Sequence, residues 1–228
     1  MSQTAALGAM TPVFRQITRH LPDWRPGVIF DVGANIGQSC TSYASMFPDA
    51  MIHAFEPVPE SFAELRNRIE PYPNIAAHPI GLSSRAGEAR MTAIGTTTGN
   101  RLVGAEERVA AKTQAVRLDT GAAVATELGV AAISFLKIDT EGHDLDVILG
   151  FAPMLDAVDF VQVEAGMNPY NRTHVPFRIL EDTLRHFGFL LFNIFEPTQE
   201  FKRGGRPVLR RTNPVFINAR LVDLTGIS

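Results

Sequence analysis

VIFDVGANIGQ, residues 28–38, and IHAFEP, residues 52–57, decide how this chain reads. An apolar run that stops at an acid and a glycine turn, then enters a helix, is how a parallel strand delivers a nucleotide-like ligand to a helix N-terminus. Glu56 follows Asp31 by 25 residues and ends a second apolar run, where a carboxylate suits a ribose diol. Two acids, Asp31 and Glu56, and two glycines, Gly33 and Gly37, at this spacing point to an adenosine-containing cofactor.

The turn itself selects among such cofactors. A dinucleotide fingerprint needs G-x-G-x-x-G so that bare backbone meets the pyrophosphate and the helix packs closely on its strand. Asn35 and Gln38 stand at the second and third of those positions, which disfavours a nicotinamide dehydrogenase. S-adenosylmethionine has no phosphate and tolerates Asn35, whose amide can bond the ligand. In this reading Asp31 receives the cofactor's ammonium group, directly or through water, and Glu56 accepts both ribose hydroxyls.

Outward from this stretch, helical and extended segments alternate. Pro12 to Leu21 reads as a short amphipathic helix with Val13, Ile17 and Leu21 on one face, and Pro22 and Pro26 end it. The first strand is Val28–Val32, with its crossover helix over Ile36–Met46. The second strand is Met51–Phe55, followed by a helix from Pro59 to about Ile69. NIAAHPIGL, residues 74–82, reads as a third short strand whose Pro79 implies that it lies at an edge or ends there. Gly87–Ala93 and Gln114–Leu118 read as strands around a loop at Gly95–Gly104. Further strands are expected at Ile133–Ile138, Phe160–Val163, Phe189–Phe195 and Val215–Asn218, with helices at Asp144–Leu149 and Pro176–Phe187. The pattern predicts an α/β fold, a mainly parallel sheet covered on both faces. The last two strands, joined without a helix, should pair antiparallel around a basic, solvated hairpin tip at Lys202–Arg211.

DVGANIGQ at 31–38, FEPVPESF at 55–62, and FLKIDTEGHDLDVILG at 135–150 followed by VQVE at 161–164 together resemble the motif set of the FkbM-type methyltransferases. The resemblance runs from about Val28 to Asn218. It implies a Rossmann-like class I methyltransferase fold with seven strands in the order 3-2-1-4-5-7-6, strand 7 antiparallel. It also implies S-adenosylmethionine as cofactor, S-adenosylhomocysteine as product, and O-methylation of a hydroxyl on a sugar, glycan or natural product. An N-methyltransferase and a non-catalytic ligand-binding domain are the alternatives; the intact pair Asp31 and Glu56 argues against the latter.

Methyl transfer to an alcohol needs alignment of the acceptor and removal of its proton. The groups for this should stand at the carboxyl ends of strands four and five: Asp139, Glu141 and His143 after the former, Glu164 at the latter. Glu141 or His143 is the expected general base, with His143 titrating near neutrality. Asp139 could instead contact the methionine part of the cofactor. Glu164 is expected to face the site, because a buried carboxylate without a partner is costly. Lys137, inside an apolar strand, is expected to pair with a neighbouring acid at the strand end, the alternative being that it reaches the acceptor pocket. Gly81 and Leu82, after strand three, are the expected adenine contacts by position. The loop NPYNRTHVP at 168–176, with Asn168, Tyr170, Arg172 and His174, could shape the acceptor pocket. Asp139, Glu141, His143 and Glu164 raise a divalent metal without forming a metal motif, so no metal ligand is assigned.

The totals set outer bounds. The chain has 228 residues, 45% apolar, enough for one large core; we expect an N-terminal helical segment, 1–27, and a single domain, 28–228. A formal charge of −3 without a basic block gives no footprint for nucleic acid or an anionic membrane. The sole cysteine, Cys40, is expected buried and fits a reducing compartment. With no apolar run of the roughly 18 residues a span needs, the expectation is a cytoplasmic protein acting on a small-molecule or glycan acceptor. A homodimer is left open by the Phe-rich segment FLLFNIF, which is expected mainly in the core.

Overall fold

The computed structural model describes residues 10–92, 100–103, 113–200 and 207–225. The apolar runs become an ordered series: α1 (Pro12–His20), β1 (Val28–Val32), α2 (Gln38–Met46), β2 (Met51–Phe55), α3 (Pro59–Ile69), β3 (Ile75–His78) and β4 (Gly81–Ser83). β5 (Gly87–Thr92), β6 (Leu102–Val103), β7 (Thr113–Thr120), α4 (Gly121–Glu127), β8 (Ile133–Ile138) and α5 (Asp144–Gly150) follow. The chain continues through β9 (Val158–Gln162), β10 (Ala165–Gly166), α6 (Phe177–His186), β11 (Phe189–Gln199) and β12 (Leu209–Asn218).

The main sheet runs β3-β2-β1-β8-β9-β12, with β11 on the outer edge of β12. Pairs from β3 to β9 are parallel, and β12 is antiparallel to both β9 and β11. In the expected numbering this is 3-2-1-4-5-7-6. The short β10 prolongs the course of β9 and pairs with Thr212 and Arg211 of β12, making eight strands rather than seven.

Side chains alternate across the central strands, as the two-residue period of a strand requires. Phe30, Val32, Leu136 and Ile138 join one buried cluster with Val124 of α4, Val147 and Ile148 of α5, and Leu180 and Leu184 of α6. Ile29, Phe135, Ile52 and Ala54 join the other with Phe14 and Ile17 of α1, Tyr43 of α2 and Leu65 of α3. A parallel sheet needs both faces covered, and three helices serve each. Asp31 and Lys137 fall on the second face, opposite each other in register, so their charges must meet inside the protein. Cys40 is buried there too, and burial pushes its thiol up to about 12, an inert state at neutral pH.

Three expectations need correction. The segment at 74–82 is a strand only as far as His78: Pro79, expected to mark an edge or an end, does both, since it has no N–H for the ladder and β3 lies at the sheet edge, but the residues beyond it form β4 in a separate sheet ordered β4-β7-β5-β6. α4 was not expected at all; Thr120 starts it, its side chain accepting the N–H of Ala123. FLLFNIF is only half core, because β11 is an edge strand: Phe189 and Phe195 turn inward while Leu190, Leu191 and Ile194 are exposed. Most of the expected loop at Gly95–Gly104 and half of the basic tip at Lys202–Arg211 lie outside the described residues. Leu102 and Val103 of the former form β6, and Leu209 to Arg211 of the latter belong to β12.

Candidate active site

The carboxyl ends of β1, β2 and β8 open onto a cleft of about 860 Å³ counted to its mouth. Its floor is the turn after β1. Gly33 and Ala34 both donate N–H to Phe55 O, and Asp139 N donates to Val32 O, which clamps the three strand ends together. Gly33 has φ +80, and a Cβ there would lie 1.9 Å from Asp139 O; only glycine satisfies both conditions. Asn35 also takes a positive φ, 48, the left-handed region that Asn tolerates better than most residues.

Glu56 forms one wall. Its Oε2 accepts the N–H of Asn35 at 2.9 Å and its Oε1 the N–H of Val58 at 2.8 Å. Burial pushes its carboxyl up to about 7 against those two backbone donors. Gly81 and Leu82 line the same cleft, together with Met91, Leu102 and Leu118 from the second sheet. This sheet therefore supplies an apolar wall that the sequence reading did not assign.

Asp31 stands behind the cleft rather than in its lining: it is fully buried, and Lys137 Nζ lies 3.1 Å from its Oδ1. Lys137 also lies 3.3 Å from Asp139 Oδ2, as the expected structural pair requires. Burial would lower its pKa, but the two carboxylates outweigh burial and hold the ammonium protonated. Lys137 and Asp139 both line the cleft, and Asp31 borders it only through the ammonium of Lys137 that it pairs with. Gly37 is not in the lining either; a Cβ on it would meet Leu65 at 2.8 Å, so this glycine lets α2 start close to α3.

The acceptor-side candidates separate. Glu141 and His143 line both the cleft and an adjoining groove that Arg101, Leu102, Arg172 and Thr173 also line. His143 Nε2 lies 2.9 Å from Ser83 Oγ and Nδ1 lies 3.6 Å from Asp146. Burial lowers its pKa, more than Asp146 raises it. Glu164 does not face the cleft. It is buried but paired, with Arg211 of β12 on Oε1 and His174 Nε2 at 2.7 Å from Oε2. The expectation considered only an unpaired burial; two cations from distant parts of the chain remove that cost.

His174 Nε2 also lies 3.6 Å from Glu141 Oε2. Burial alone would lower the His174 pKa, and the two carboxylates reverse that to about 9. Asp144 ties this corner together: Oδ2 accepts from Thr140 Oγ1 at 2.8 Å and Oδ1 accepts the N–H of Glu164 at 3.1 Å. Glu141 has φ 51, and a Cβ on the following Gly142, φ +103, would lie 2.0 Å from Thr173 O. That close approach is what brings the loop after β8 onto the loop carrying His174. Asn168 and Asn171 hold the latter loop to β12 through Leu209 O and Arg210 O, while Tyr170 projects into solvent.

A doubly wound sheet in this strand order, with an acid and a glycine turn at its carboxyl ends, defines the class I methyltransferase fold. The model of the methyltransferase FkbM domain matches residues 31–191, well over half of the chain, and the chain belongs to that family. A 31-O-demethyl-FK506 methyltransferase of Streptomyces tacrolimicus is 32% identical over 164 residues, 58% of this chain and 62% of the relative. The 2-O-methyltransferase NoeI of Sinorhizobium fredii is 27% identical over 216 residues, 88% of this chain and 85% of the relative. The match thus takes in less than two thirds of the length of the first. Among solved structures, the fibrillarin pre-rRNA processing protein of Methanococcus jannaschii shares the fold, with a TM-score of 0.51 at 13% identity over 85% of this chain and 66% of that one. None of the helices among the described residues is long and apolar enough to cross a membrane.

Proposed function

We propose that the chain is an S-adenosylmethionine-dependent O-methyltransferase acting on a hydroxyl of a sugar, glycan or natural product. The observation that carries this is the continuity of the cleft: Glu56 and the glycine turn at one end, Glu141 and His143 at the other. The names of the two relatives, both O-methyl transfer enzymes, support the same reading.

The residues divide the work as follows. Glu56, already fixed by two backbone donors, uses its remaining lone pairs on the ribose diol, and Leu82, beside Gly81, packs on the adenine. Asn35 and the exposed edge of Asp139 meet the methionine end, whose carboxylate is drawn by Lys137. The bound cofactor supplies an electrophilic methyl group on sulfur. His143, kept neutral by burial and oriented by Ser83 and Asp146, would accept the acceptor's proton as the C–O bond forms and the methyl–sulfur bond breaks, its electron pair staying on the sulfur of S-adenosylhomocysteine. Asp31 has a positioning role through Lys137. The helix α1, seated on the same core as α2 by Phe14 and Ile17, belongs to one domain with the rest. An amine acceptor is the second reading, since it would arrive neutral and need no base.

Incubation with S-[methyl-³H]adenosylmethionine and a panel of sugars, uronic acids and polyketide alcohols tests this. Label should move to a hydroxyl acceptor, and His143→Ala should lower turnover about 100-fold, in the range for losing a general base, with binding of S-adenosylhomocysteine retained. Label appearing only on amines, at a rate indifferent to His143→Ala, would overturn it.

A further inference from the structure

Glu141, Glu164 and His174 each bring one donor atom to a common point, all within 4.8 Å of one another. They come from three places in the chain: the loop after β8, the end of β9 and the loop before α6. Glu164 and His174 are buried, and Glu141 is the member that also lines the groove. None of the three converges there because sequence neighbours force it.

Two observations distinguish this from an ordinary ion-pair cluster. Glu164 Oε2, on a side chain more than nine-tenths buried, accepts no well-aligned hydrogen bond among the described residues, and His174 Nε2 faces it at 2.7 Å. Arg211 engages only the other oxygen, Oε1, which leaves Oε2 directed at the common point. Second, the far nitrogen of the imidazole is already engaged: His174 Nδ1 lies 3.1 Å from Asn171 Oδ1 and 2.9 Å from its Nδ2. An amide on Nδ1 orients the ring and leaves Nε2 for the centre, as in metal-binding histidines with a supporting partner.

We infer that Glu141, Glu164 and His174 form a binding site for a divalent first-row cation at the inner end of the acceptor groove. Two carboxylates and one imidazole suit Mn²⁺ or Zn²⁺ better than the all-oxygen sets of Ca²⁺. Binding exchanges the cation for the proton on Nε2, which leaves to solvent, so the cluster gains one positive charge. Beside the groove, such a cation would hold an acceptor oxygen and favour its ionised form. That purpose rests on the methyltransferase reading, but the site itself does not.

The test is direct. Chelator-treated protein is titrated with Mn²⁺ and free ion is followed by electron paramagnetic resonance. The unmodified chain should take up one ion, whereas Glu141→Gln and His174→Ala should each weaken uptake at least tenfold. Glu141→Gln guards against misfolding, because that side chain is partly exposed, and calorimetry with S-adenosylhomocysteine reports whether its cofactor cleft is intact. Mn²⁺ should also raise the melting temperature of the wild type and not of His174→Ala. Absence of uptake by the wild type, or equal uptake by Glu141→Gln with the cleft intact, would overturn the inference whatever the fate of the methyl-transfer assay.

Discussion

The two ends of the cleft are built in opposite ways. At the cofactor end the sequence is local: Gly33, Ala34 and Asn35 are consecutive, Glu56 ends the neighbouring strand, and the contacts among them run through backbone N–H groups. At the other end, lined by Glu141 and His143, the support comes from side chains of distant segments: Glu164, His174 and Arg211 stand behind Glu141, held by ion pairs and by the buried carboxylate of Asp144. A backbone-made site fixes one ligand and tolerates little change. A side-chain-made site can be rebuilt around different acceptors while the cofactor end stays as it is.

The sharpest way to break that contrast is at Gly33. Gly33→Ala places a methyl 1.9 Å from Asp139 O at φ +80. With backbone rather than a flexible side chain in the way, we expect a loss of about 4 kcal/mol or more, at the upper end for point changes. Chemical denaturation reads this, and a change under about 1 kcal/mol would mean that the clamp between β1 and β8 is looser than described.

Glu56→Gln comes next. An amide presents one acceptor oxygen where the carboxylate presents two, so the N–H of Asn35 or Val58 loses its partner along with part of the diol contact. We expect affinity for S-adenosylhomocysteine to fall roughly 10- to 100-fold, with little change in Mn²⁺ uptake at the other end. The pH dependence has a definite sign. Because burial raises this acid to about 7 from 4.5, the native state holds the proton more tightly than the unfolded one. Its contribution is fully present below the unfolded pKa and is lost as pH rises from about 4.5 to about 7, up to a few kcal/mol. Affinity for the ribose should move the other way, rising to a plateau above pH 7 as the carboxylate forms. Both trends should vanish in Glu56→Gln.

The smallest effect is expected from Arg211→Met. Arg211 is about one-third exposed, so solvent screens part of the loss and about 1–2 kcal/mol of stability is expected, less than for a fully buried pair. Cofactor affinity should be unchanged within twofold. A parallel drop in S-adenosylhomocysteine binding would show that the two ends are energetically coupled, through Asp144 or otherwise.

The same contrast explains what could be read from the residues. Gly33 and Glu56 could be placed at the cleft because strand, turn and helix are contiguous there, whereas Asp31, expected in contact with the cofactor, lies behind the lining. Lys137 was legible for a related reason: an ammonium in an apolar strand must meet an acid, and parallel register put Asp31 beside it. The Glu164 pairing was not legible, since Arg211 looked like part of a solvated hairpin and nothing local relates residue 211 to residue 164. His174 was visible only as a member of a polar loop. The second sheet was hidden by Pro79, which divides what looks like one strand, and α4 by an Ala-rich stretch with weak periodicity, although Thr120 offered a cap.

Calorimetry with S-adenosylhomocysteine and with NAD, on the same preparation of the unmodified protein, tests the central claim most directly. The cleft described here predicts one site for S-adenosylhomocysteine and no heat from NAD, because Asn35 occupies the place where a pyrophosphate needs bare backbone. Binding of NAD without S-adenosylhomocysteine would contradict the account.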